Sequence, residues 1–481
     1  MFRNHLKIAW RSLAKNRLFT ALNGLGLATG LAVALMLLLY ARDEQAFDRH
    51  YTRAERMYRV NLTASFDGQT MKWGNVPNVV GPTLKAELSD VEAQVRLLRH
   101  NFGQTAFVNS TDRQFAEKRL YWADSTLFSV FDVPLRLGNP ATALNGPNRV
   151  ILSESASRRY FGAENPLGKV LEVDHNLSLE VTGVYPDFRP TSTLDADLIG
   201  SFSSVKWASN LSWGNASFET YLLLHPGASP DRVNQGMAAV LARDVPKEAP
   251  WSSLWLQPLT DIHLYSADLT NTNTTRLGDA RQVRILGILA VVVLLIACIN
   301  YMNLATAQAQ VRAREVGINK AVGATREQVA ARFYVETALV VFGSLLVGVG
   351  LVAVGLPLLN DLADKYLTFG DLFTPGMALN LLGLGVGITL VAGSYPALHL
   401  SGFAPKQLLQ TAFRRNTGAG WLRRSLVVAQ FMASLVLIIG TLVFYQQLRF
   451  IQRQKLGYEP TQVVAVMTAA AQSKAQVQAL T

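Results

Sequence analysis

The sequence predicts a membrane protein with an α-helical transmembrane bundle of about five spans and a large α+β domain outside the membrane, between the first and second spans. Only 16% of the 481 residues are charged, whereas a typical soluble domain carries about 25%. The apolar residues are gathered into long blocks, and one long polar stretch of mixed charge separates the first block from the others. These two observations predict the architecture.

Five apolar blocks have the length of a membrane-spanning helix, which is about 20 residues. Glu336 is the only Asp, Glu, Lys or Arg within them, and a charge near the bilayer centre costs about 3 kcal/mol. A buried helix of a soluble protein is the alternative for any single block, and the presence of five argues against it. The predicted spans are residues 18–40, 285–305, 333–354, 373–399 and 426–445.

The lysines and arginines between the blocks predict the orientation, because they are enriched in cytoplasmic loops. Residues 1–17 carry five basic and no acidic side chains, and the segments 306–332 and 400–425 are also basic. The loop between the third and fourth spans instead has three aspartates and one lysine. We therefore expect a cytoplasmic N-terminus and an outside location for residues 446–481. This topology accounts for the net charge of +11 without a nucleic-acid partner.

Residues 1–17 are predicted to form an amphipathic basic helix ahead of the first span. Such a helix lies on the inner membrane surface, where its basic residues face anionic lipid headgroups. The alternative is a basic segment that only sets the topology. The apolar residues at helical spacing are Phe2, Leu6, Ala9, Trp10 and Leu13.

The polar stretch of residues 42–282 is long enough for a core of its own, and for two subdomains. Alternating apolar and polar residues predict strands at Arg149–Leu152 and Leu177–Val184. A helix is expected to follow the first of these strands and to reach Tyr160, with Ser153 as its N-cap. The stretch is therefore predicted to be an α+β domain outside the membrane.

The sequence offers no catalytic, cofactor-binding or metal-binding residues. His100, His175 and His263 lack the spacing of metal ligands, and a single cysteine, Cys298, excludes a disulfide framework and a Cys-rich zinc site. No G-x-S-x-G elbow occurs, and no G-x-x-x-x-G-K-[ST] phosphate loop occurs. We therefore expect a chain that is not itself an enzyme.

The basic segment 306–332 has the pattern of a helical hairpin. The helix of the second span is expected to continue beyond the bilayer, and Gly323 and Ala324 permit a tight reversal. Thr325 and Gln328 then match a capping box, which begins the helix of the third span. Such a hairpin either receives a push from a cytoplasmic partner or simply connects two spans.

Two pairs of glycines have the spacing that lets membrane helices pack closely. Gly26 and Gly30 lie in the first span, and Gly383 and Gly387 lie in the fourth. Small residues four apart allow two backbones to approach each other. We therefore expect a neighbouring helix against each pair.

Long stretches of the sequence resemble a known family. Residues 314–341, REVGINKAVGATREQVAARFYVETALVV, resemble the cytoplasmic segment of FtsX-like ABC transporter permeases, and residues 393–409 are similar to the exit from that family's next span. Residues 121–144, 150–173 and 179–202 resemble parts of the MacB-like periplasmic core domain. Together with the N-terminal segment, the resemblance covers nearly the whole chain.

The resemblance implies a non-catalytic permease subunit in the bacterial cytoplasmic membrane. It would work with a separate cytoplasmic ABC ATPase, in a dimeric permease assembly or with a second permease half, and would use no cofactor. ATP-driven motion would reach the periplasmic domain and export or release an amphiphilic substrate. The alternative is an ATP-driven scaffold that activates a cell-wall hydrolase or a sensor kinase. The residues expected to dock near the ATPase are Arg314, Glu315, Gly317, Lys320, Gly323, Ala324 and Thr325.

The pattern at the start of the chain returns near residue 421. A basic lead, an apolar span and a polar segment follow one another again, and Val463–Met467 has the pattern of a strand. Permeases with a duplicated architecture continue into a second outer domain and further spans. The resemblance therefore implies that residues 446–481 begin a second, incomplete periplasmic domain and that the chain is a truncated form of a longer permease. A natural five-span form is the alternative.

Overall fold

The computed structural model describes residues 2–66, 68–110, 113–246, 249–311, 313–402 and 419–454. The chain divides into two compact units. The helical unit contains the residues up to Arg42 and those of the membrane helices from Val283 onward, and the sheet unit is Asp43–Gln282. Most of the predicted basic segment 400–425 and the whole of the predicted strand Val463–Met467 lie outside the described residues.

Five helices of the described chain are long and apolar enough to cross a membrane, namely α2, α9, α11, α12 and α13. Four of them contain the predicted spans completely, and the helix of the fourth begins at Pro375 rather than at residue 373, so the predicted bundle is confirmed. The helices of the described chain are α1 Phe2–Lys15, α2 Arg17–Gln45, α3 Val80–Glu87, α4 Leu127–Phe131, α5 Pro140–Ala143, α6 Glu154–Phe161, α7 Pro230–Asp244, α8 Leu259–Ile262, α9 Ala280–Val311, α10 Ala313–Ala321, α11 Arg326–Ala363, α12 Pro375–Gly402 and α13 Ala419–Arg453.

Glycines on α2 and α11 set the close packing of the helical unit. A Cβ added at Gly30 would lie 2.5 Å from the Cβ of Ala297 on α9, which is too close for a side chain. A Cβ at Gly348 of α11 would lie 3.1 Å from the carbonyl oxygen of Ala28 on α2. The close approach predicted at Gly30 is therefore confirmed, and the absence of side chains lets α2 contact both α9 and α11.

The corresponding prediction for α12 is wrong. A Cβ at Gly383 or at Gly387 would meet no described atom within 4 Å. Gly385 makes the close contact instead, because a Cβ there would lie 2.9 Å from the Phe342 ring of α11. Side chains at the two predicted positions would therefore contact no neighbouring helix in the described structure.

The sheet unit is built on one mixed sheet that contains all the strands of the described chain, in the order β14-β2-β1-β12-β3-β6-β11-β8-β10-β9-β4-β5, with β13 paired to β1 and β7 paired to β10. One continuous sheet replaces the two subdomains that the length allowed. The strands are β1 Met57–Phe66, β2 Gln69–Trp73, β3 Val91–Arg99, β4 Ala106–Ser110, β5 Arg113–Glu117, β6 Leu120–Ala123, β7 Leu137–Gly138, β8 Arg149–Ser153, β9 Val170–Val173, β10 Leu177–Tyr185, β11 Leu198–Ser201, β12 Glu219–Leu224, β13 Trp251–Pro258 and β14 Leu269–Asn271.

Neighbouring residues of the central strands bury opposite faces of the sheet, as the two-residue period of a strand requires. Leu97 and Tyr121 belong to one apolar core, whereas Leu98 and Trp122 belong to another. A third core packs α3 and α7 against the sheet and includes Met237. Both faces are therefore covered, and the predicted α+β class is confirmed.

The strands predicted at residues 149–152 and 177–184 are present as β8 and β10, which pair in parallel. Ser153 ends β8, and its hydroxyl oxygen accepts the backbone N–H of Ala156 at 3.1 Å, so it caps α6 as expected. A side-chain acceptor at this position satisfies one of the free N–H groups of the first helical turn.

A buried carboxylate fixes the start of the sheet unit. Asp48 is fully buried, and its Oδ1 accepts the backbone N–H of Thr193 at 2.9 Å and the hydroxyl of Ser192 at 3.3 Å. Burial raises the pKa of Asp48 to about 6, and these hydrogen bonds oppose the rise. Beside it, burial and the charge of Arg189 lower the pKa of His50 to about 4.

We predict that Asp48→Asn is stabilised relative to the wild type as the pH rises from 4 to 6. The folded wild type holds the Asp48 proton until about pH 6, whereas the unfolded chain releases it near pH 4. The free energy of unfolding of the wild type therefore falls by about 2–3 kcal/mol across this window, and that of Asp48→Asn does not. His50 has the opposite effect but is present in both proteins and cancels in the difference. Denaturant unfolding of the full chain in detergent, followed by tryptophan fluorescence, measures the difference.

The matched control is Asp231→Asn, which removes a solvent-exposed carboxylate of the same unit. A free-energy difference between Asp48→Asn and the wild type that does not change with pH would contradict the assignment of this titration to Asp48.

Candidate functional site

The turn between α10 and α11 ends one helix with backbone hydrogen bonds. Gly323 has a φ of +104°, a conformation that glycine adopts without steric cost. Its N–H donates to the carbonyl oxygen of Lys320 at 3.1 Å, and the N–H of Ala324 donates to that of Asn319 at 3.0 Å. These two bonds form a Schellman motif, which satisfies carbonyls that the end of α10 would otherwise leave free.

The next residue begins α11 with the predicted capping box. The Oγ1 of Thr325 accepts the backbone N–H of Gln328 at 3.3 Å, and the backbone N–H of Thr325 donates to the Oε1 of Gln328 at 3.1 Å. Both bonds satisfy donors at the helix start. The two helices are thus joined by four residues, 322–325, whose conformation is fixed by hydrogen bonds on both sides.

A small apolar core holds the two arms of the hairpin together. Val316 on α10 packs with Val329 and Phe333 on α11, and Ala397 of α12 completes the cluster. Gly317 is buried beside Val316. The hairpin is therefore a packed unit rather than a loose loop.

An ion pair joins the same two arms. The Nη2 of Arg332 lies 2.7 Å from the Oε1 of Glu315. The side chain of Glu315 is 50% exposed, so the pair contributes at most about 1 kcal/mol. The sequence pattern did not identify Arg332 as a site residue, because its partner lies 17 positions earlier in the chain.

The tip of the hairpin exposes an apolar pair that sequence reasoning also missed. Ile318 is 51% exposed and Val322 is 85% exposed, and they are one helical turn apart. Lys320 lies two residues from each of them, so it projects from a different side of the helical turn, and partial burial together with the charge of Arg326 lowers its pKa. An exposed apolar pair suits contact with a groove on another protein.

The structure brings the predicted docking residues together in this hairpin. Arg314 belongs to α10, and its side chain lies outside the described ones. The remaining residues divide between the first arm and the turn: Glu315, Gly317 and Lys320 on the arm, and Gly323, Ala324 and Thr325 in the turn.

The N-terminal helix α1 is tied to the arm α11 inside the helical unit. The hydroxyl of Ser12 donates to the Oε1 of Glu336 at 3.2 Å, and Glu336 is only 7% exposed. Beside this contact, Asn23 and Tyr301 line a cavity of about 30 Å³. The one carboxylate of the predicted spans therefore sits in a polar cluster, as buried charges in membrane helices generally do.

Two histidines of the sheet unit lie next to carboxylates. No group of three His, Cys, Asp or Glu residues in the part of the chain that the structure describes is arranged to hold a metal ion. The Nε2 of His100 lies 2.8 Å from Asp174, and that of His263 lies 3.0 Å from the buried Glu44. These histidines make structural pairs.

The described ranges contain five membrane-length helices, a large mixed sheet unit and a capped hairpin between two spans, which together define a multi-pass membrane protein. The sequence profile of the MacB-like periplasmic core domain matches residues 20–240, and that of the FtsX-like permease C-terminal domain matches residues 287–405. The chain belongs to the FtsX-like ABC transporter permeases that carry a MacB-like periplasmic core domain.

Curated relatives agree with this family. The chain is 23% identical over 423 residues to the macrolide export ATP-binding/permease protein MacB of Burkholderia thailandensis, which covers 84% of this chain and 59% of the relative. It is 27% identical over 217 residues to the ABC transporter permease YknZ of Bacillus subtilis, covering 45% of this chain and 51% of the relative. The chain thus spans about half the length of the curated relatives that it matches.

Two crystal structures are similar to part of the chain. A domain of a permease protein from Porphyromonas gingivalis aligns with a TM-score of 0.41 and 22% identity, covering 50% of this chain and 100% of that domain. The periplasmic region of MacB from Actinobacillus actinomycetemcomitans aligns with a TM-score of 0.32 and 15% identity, covering 44% of this chain and 91% of that region.

We predict that Thr325→Ala frays the start of α11. The variant loses the acceptor for the Gln328 N–H, and loss of such a cap typically costs about 1 kcal/mol. Hydrogen–deuterium exchange of the full chain in detergent should show about fivefold faster exchange for the backbone amides of residues 327–329. Thr325→Ser keeps the hydroxyl and should exchange like the wild type. Equal exchange in all three proteins would contradict the capping assignment.

Proposed function

We propose that this chain is a non-catalytic permease subunit that transmits the motion of a separate cytoplasmic ABC ATPase to its MacB-like domain. The observation that carries the proposal is the continuity of the hairpin with a membrane-length helix. α11 has 38 residues and is therefore about 57 Å long. Its first turns belong to the capped hairpin and its later turns have the length and apolarity of a span, so a movement of the tip moves the whole helix.

The hairpin tip supplies the surface for the ATPase. Ile318 and Val322 are exposed and would enter an apolar groove of the ATPase, and Lys320 would face acidic residues at the groove's rim. Together with the predicted residues from Arg314 to Thr325 they form the proposed docking surface. The chain itself lacks a phosphate-binding G-x-x-x-x-G-K-[ST] motif, which is why a second chain is proposed to hydrolyse ATP.

The proposed topology follows the positive-inside rule. Residues 1–17, 306–332 and 400–425 lie in the cytoplasm, and residues 42–282 lie in the periplasm. Residues 446–481 also lie on the periplasmic side. A second permease half or a second copy of the chain completes the assembly on the ATPase dimer.

The proposed substrate class is amphiphilic. MacB of Burkholderia thailandensis is named as a macrolide exporter, and a substrate of mixed polarity suits a machine that moves a domain next to a membrane surface. ATP-driven motion of the MacB-like domain would then expel such a molecule from the outer face of the membrane.

We predict that Gly323→Val uncouples ATP hydrolysis from transport while the chain still inserts into the membrane. Valine at a φ of +104° is strained by about 1–3 kcal/mol, so the Schellman turn opens and the tip loses its fixed position. The test is affinity purification of the tagged chain from its native membrane. ATPase recovery and substrate-stimulated ATP hydrolysis are then measured, and at least a tenfold loss of stimulation is expected.

Gly287→Val on α9 is the control, because a Cβ at Gly287 meets no described atom within 4 Å and φ is not positive there. Wild-type stimulation in Gly323→Val would refute the hairpin as the coupling element. Recovery of a cell-wall hydrolase or a sensor kinase with the wild-type chain, with stoichiometric ATPase but no transported substrate, would replace transport by the regulatory function. Recovery without any P-loop ATPase would refute the proposal altogether.

A further inference from the structure

An open groove runs along the helical unit between α1, α2 and α11. Its volume is about 570 Å³, which is within the range of small-molecule sites. Apart from Arg17, Thr20 and Ser344, the residues that line it are apolar or glycine. We refer to it as the α2–α11 groove.

Two glycines, which have no side chains, leave this groove open. Gly24 and Gly343 both line it, and a Cβ at Gly343 would meet no described atom within 4 Å. Further along the same two helices, a Cβ at Gly348 would lie 3.1 Å from the carbonyl oxygen of Ala28. The groove is therefore closed where α2 and α11 touch, and the other end of its lining is formed by α1 residues such as Trp10.

The residues at the α1 end suit the headgroup region of a bilayer. Trp10 is 68% exposed, and tryptophan is enriched at the level of the headgroups. The Nε of Arg17 donates to the carbonyl oxygen of Ala14 at 3.2 Å, which holds the guanidinium at the junction of α1 and α2. Its two terminal nitrogens make no hydrogen bond to the described residues, and a guanidinium can bind two oxygens of a phosphate in a bidentate geometry.

The floor of the groove contains a buried hydroxyl. Ser344 is 3% exposed, and its Oγ has no hydrogen-bond partner among the described residues. It lies 3.6 Å from the position of a Cβ at Gly24. A buried donor without a partner is unfavourable, and a guest whose ester carbonyl reaches Ser344 would supply the missing acceptor.

Charge identifies the occupant. The segment before the first span carries five basic residues and no acidic residue, so the potential at the α1 end is positive and favours an anionic headgroup. The α2–α11 groove is apolar and closed at its inner end, has a buried donor at its floor and has a cation at its open end. A phospholipid carries matching groups in the same order: acyl chain, ester and phosphate.

We propose that the α2–α11 groove binds one anionic phospholipid, with an acyl chain between α2 and α11, an ester carbonyl at Ser344 and the phosphate at Arg17. The assignment of this lipid to the cytoplasmic leaflet rests on the topology given under the proposed function. The lipid would fill the space beside α11, the same helix that continues from the hairpin.

The test uses the full chain reconstituted in nanodiscs of phosphatidylcholine that contain a small fraction of phosphatidylglycerol with the same acyl chains. After extraction into mild detergent, native mass spectrometry counts the retained lipids. Gly343→Leu places a side chain in the open groove and should lower retained phosphatidylglycerol at least fivefold. Gly383→Leu, at another glycine with no described atom within 4 Å of its Cβ position, lies on α12 and should retain lipid like the wild type.

Arg17→Gln separates the headgroup from the acyl chain. It should abolish the preference for phosphatidylglycerol over phosphatidylcholine and leave the total number of retained lipids unchanged. The Arg17 side chain is exposed, so Arg17→Gln should fold normally. This variant therefore keeps the proposal testable if Gly343→Leu misfolds. Addition of inorganic phosphate should displace no lipid, since the acyl chain contributes to binding.

Equal retention by Gly343→Leu and Gly383→Leu would overturn the proposal, as would complete displacement by inorganic phosphate. A change from dimer to monomer in Gly343→Leu with unchanged lipid retention would show that a second copy covers the groove. Because the assay contains no ATPase and does not depend on orientation, a negative result here leaves the coupling test with Gly323→Val unaffected.

Discussion

The hydrocarbon interior of a bilayer provides no hydrogen-bond partners, so each chain segment that crosses it must satisfy its backbone groups internally. In this protein that constraint produces membrane-length helices such as α11, which runs from Arg326 to Ala363 and contains one proline, Pro357. Every change of chain direction must therefore occur outside the bilayer, in a turn that satisfies the helix ends. The turn at residues 322–325 does so with a Schellman motif on one side and a capping box on the other.

The same turn supports the proposed role of the hairpin as a mechanical element. Its ends are closed by hydrogen bonds, its arms share an apolar core around Val316 and Phe333, and Arg332 pairs with Glu315 across them. About one turn beyond Arg332 on α11, the carboxylate of Glu336 accepts the hydroxyl of Ser12, so α1 is attached to the same helix. A displacement of the tip would therefore reach the span and the N-terminal helix together.

Local patterns in the sequence predicted the spans, the Ser153 cap and the capping box at Thr325, because each depends on residues a few positions apart. The strand order was beyond prediction, since β1 pairs with β12 and β13 from far along the chain. The prediction of a close helix contact at Gly383 was wrong for a related reason. Spacing identifies a smooth helix face but does not identify the neighbour. The sequence did not identify Val322 as a site residue, because its exposure depends on which face of α10 packs against α11.

The most direct test of the account is site-specific photo-cross-linking from Val322 in the native membrane. Val322 is 85% exposed at the hairpin tip, so a photoreactive side chain there should capture a P-loop ATPase. The matched control is Phe369, which is 41% exposed and lies between α11 and α12, at the opposite end of the span; it should capture no ATPase. Capture of the ATPase from Phe369 and not from Val322, or from neither position, would contradict the proposed coupling.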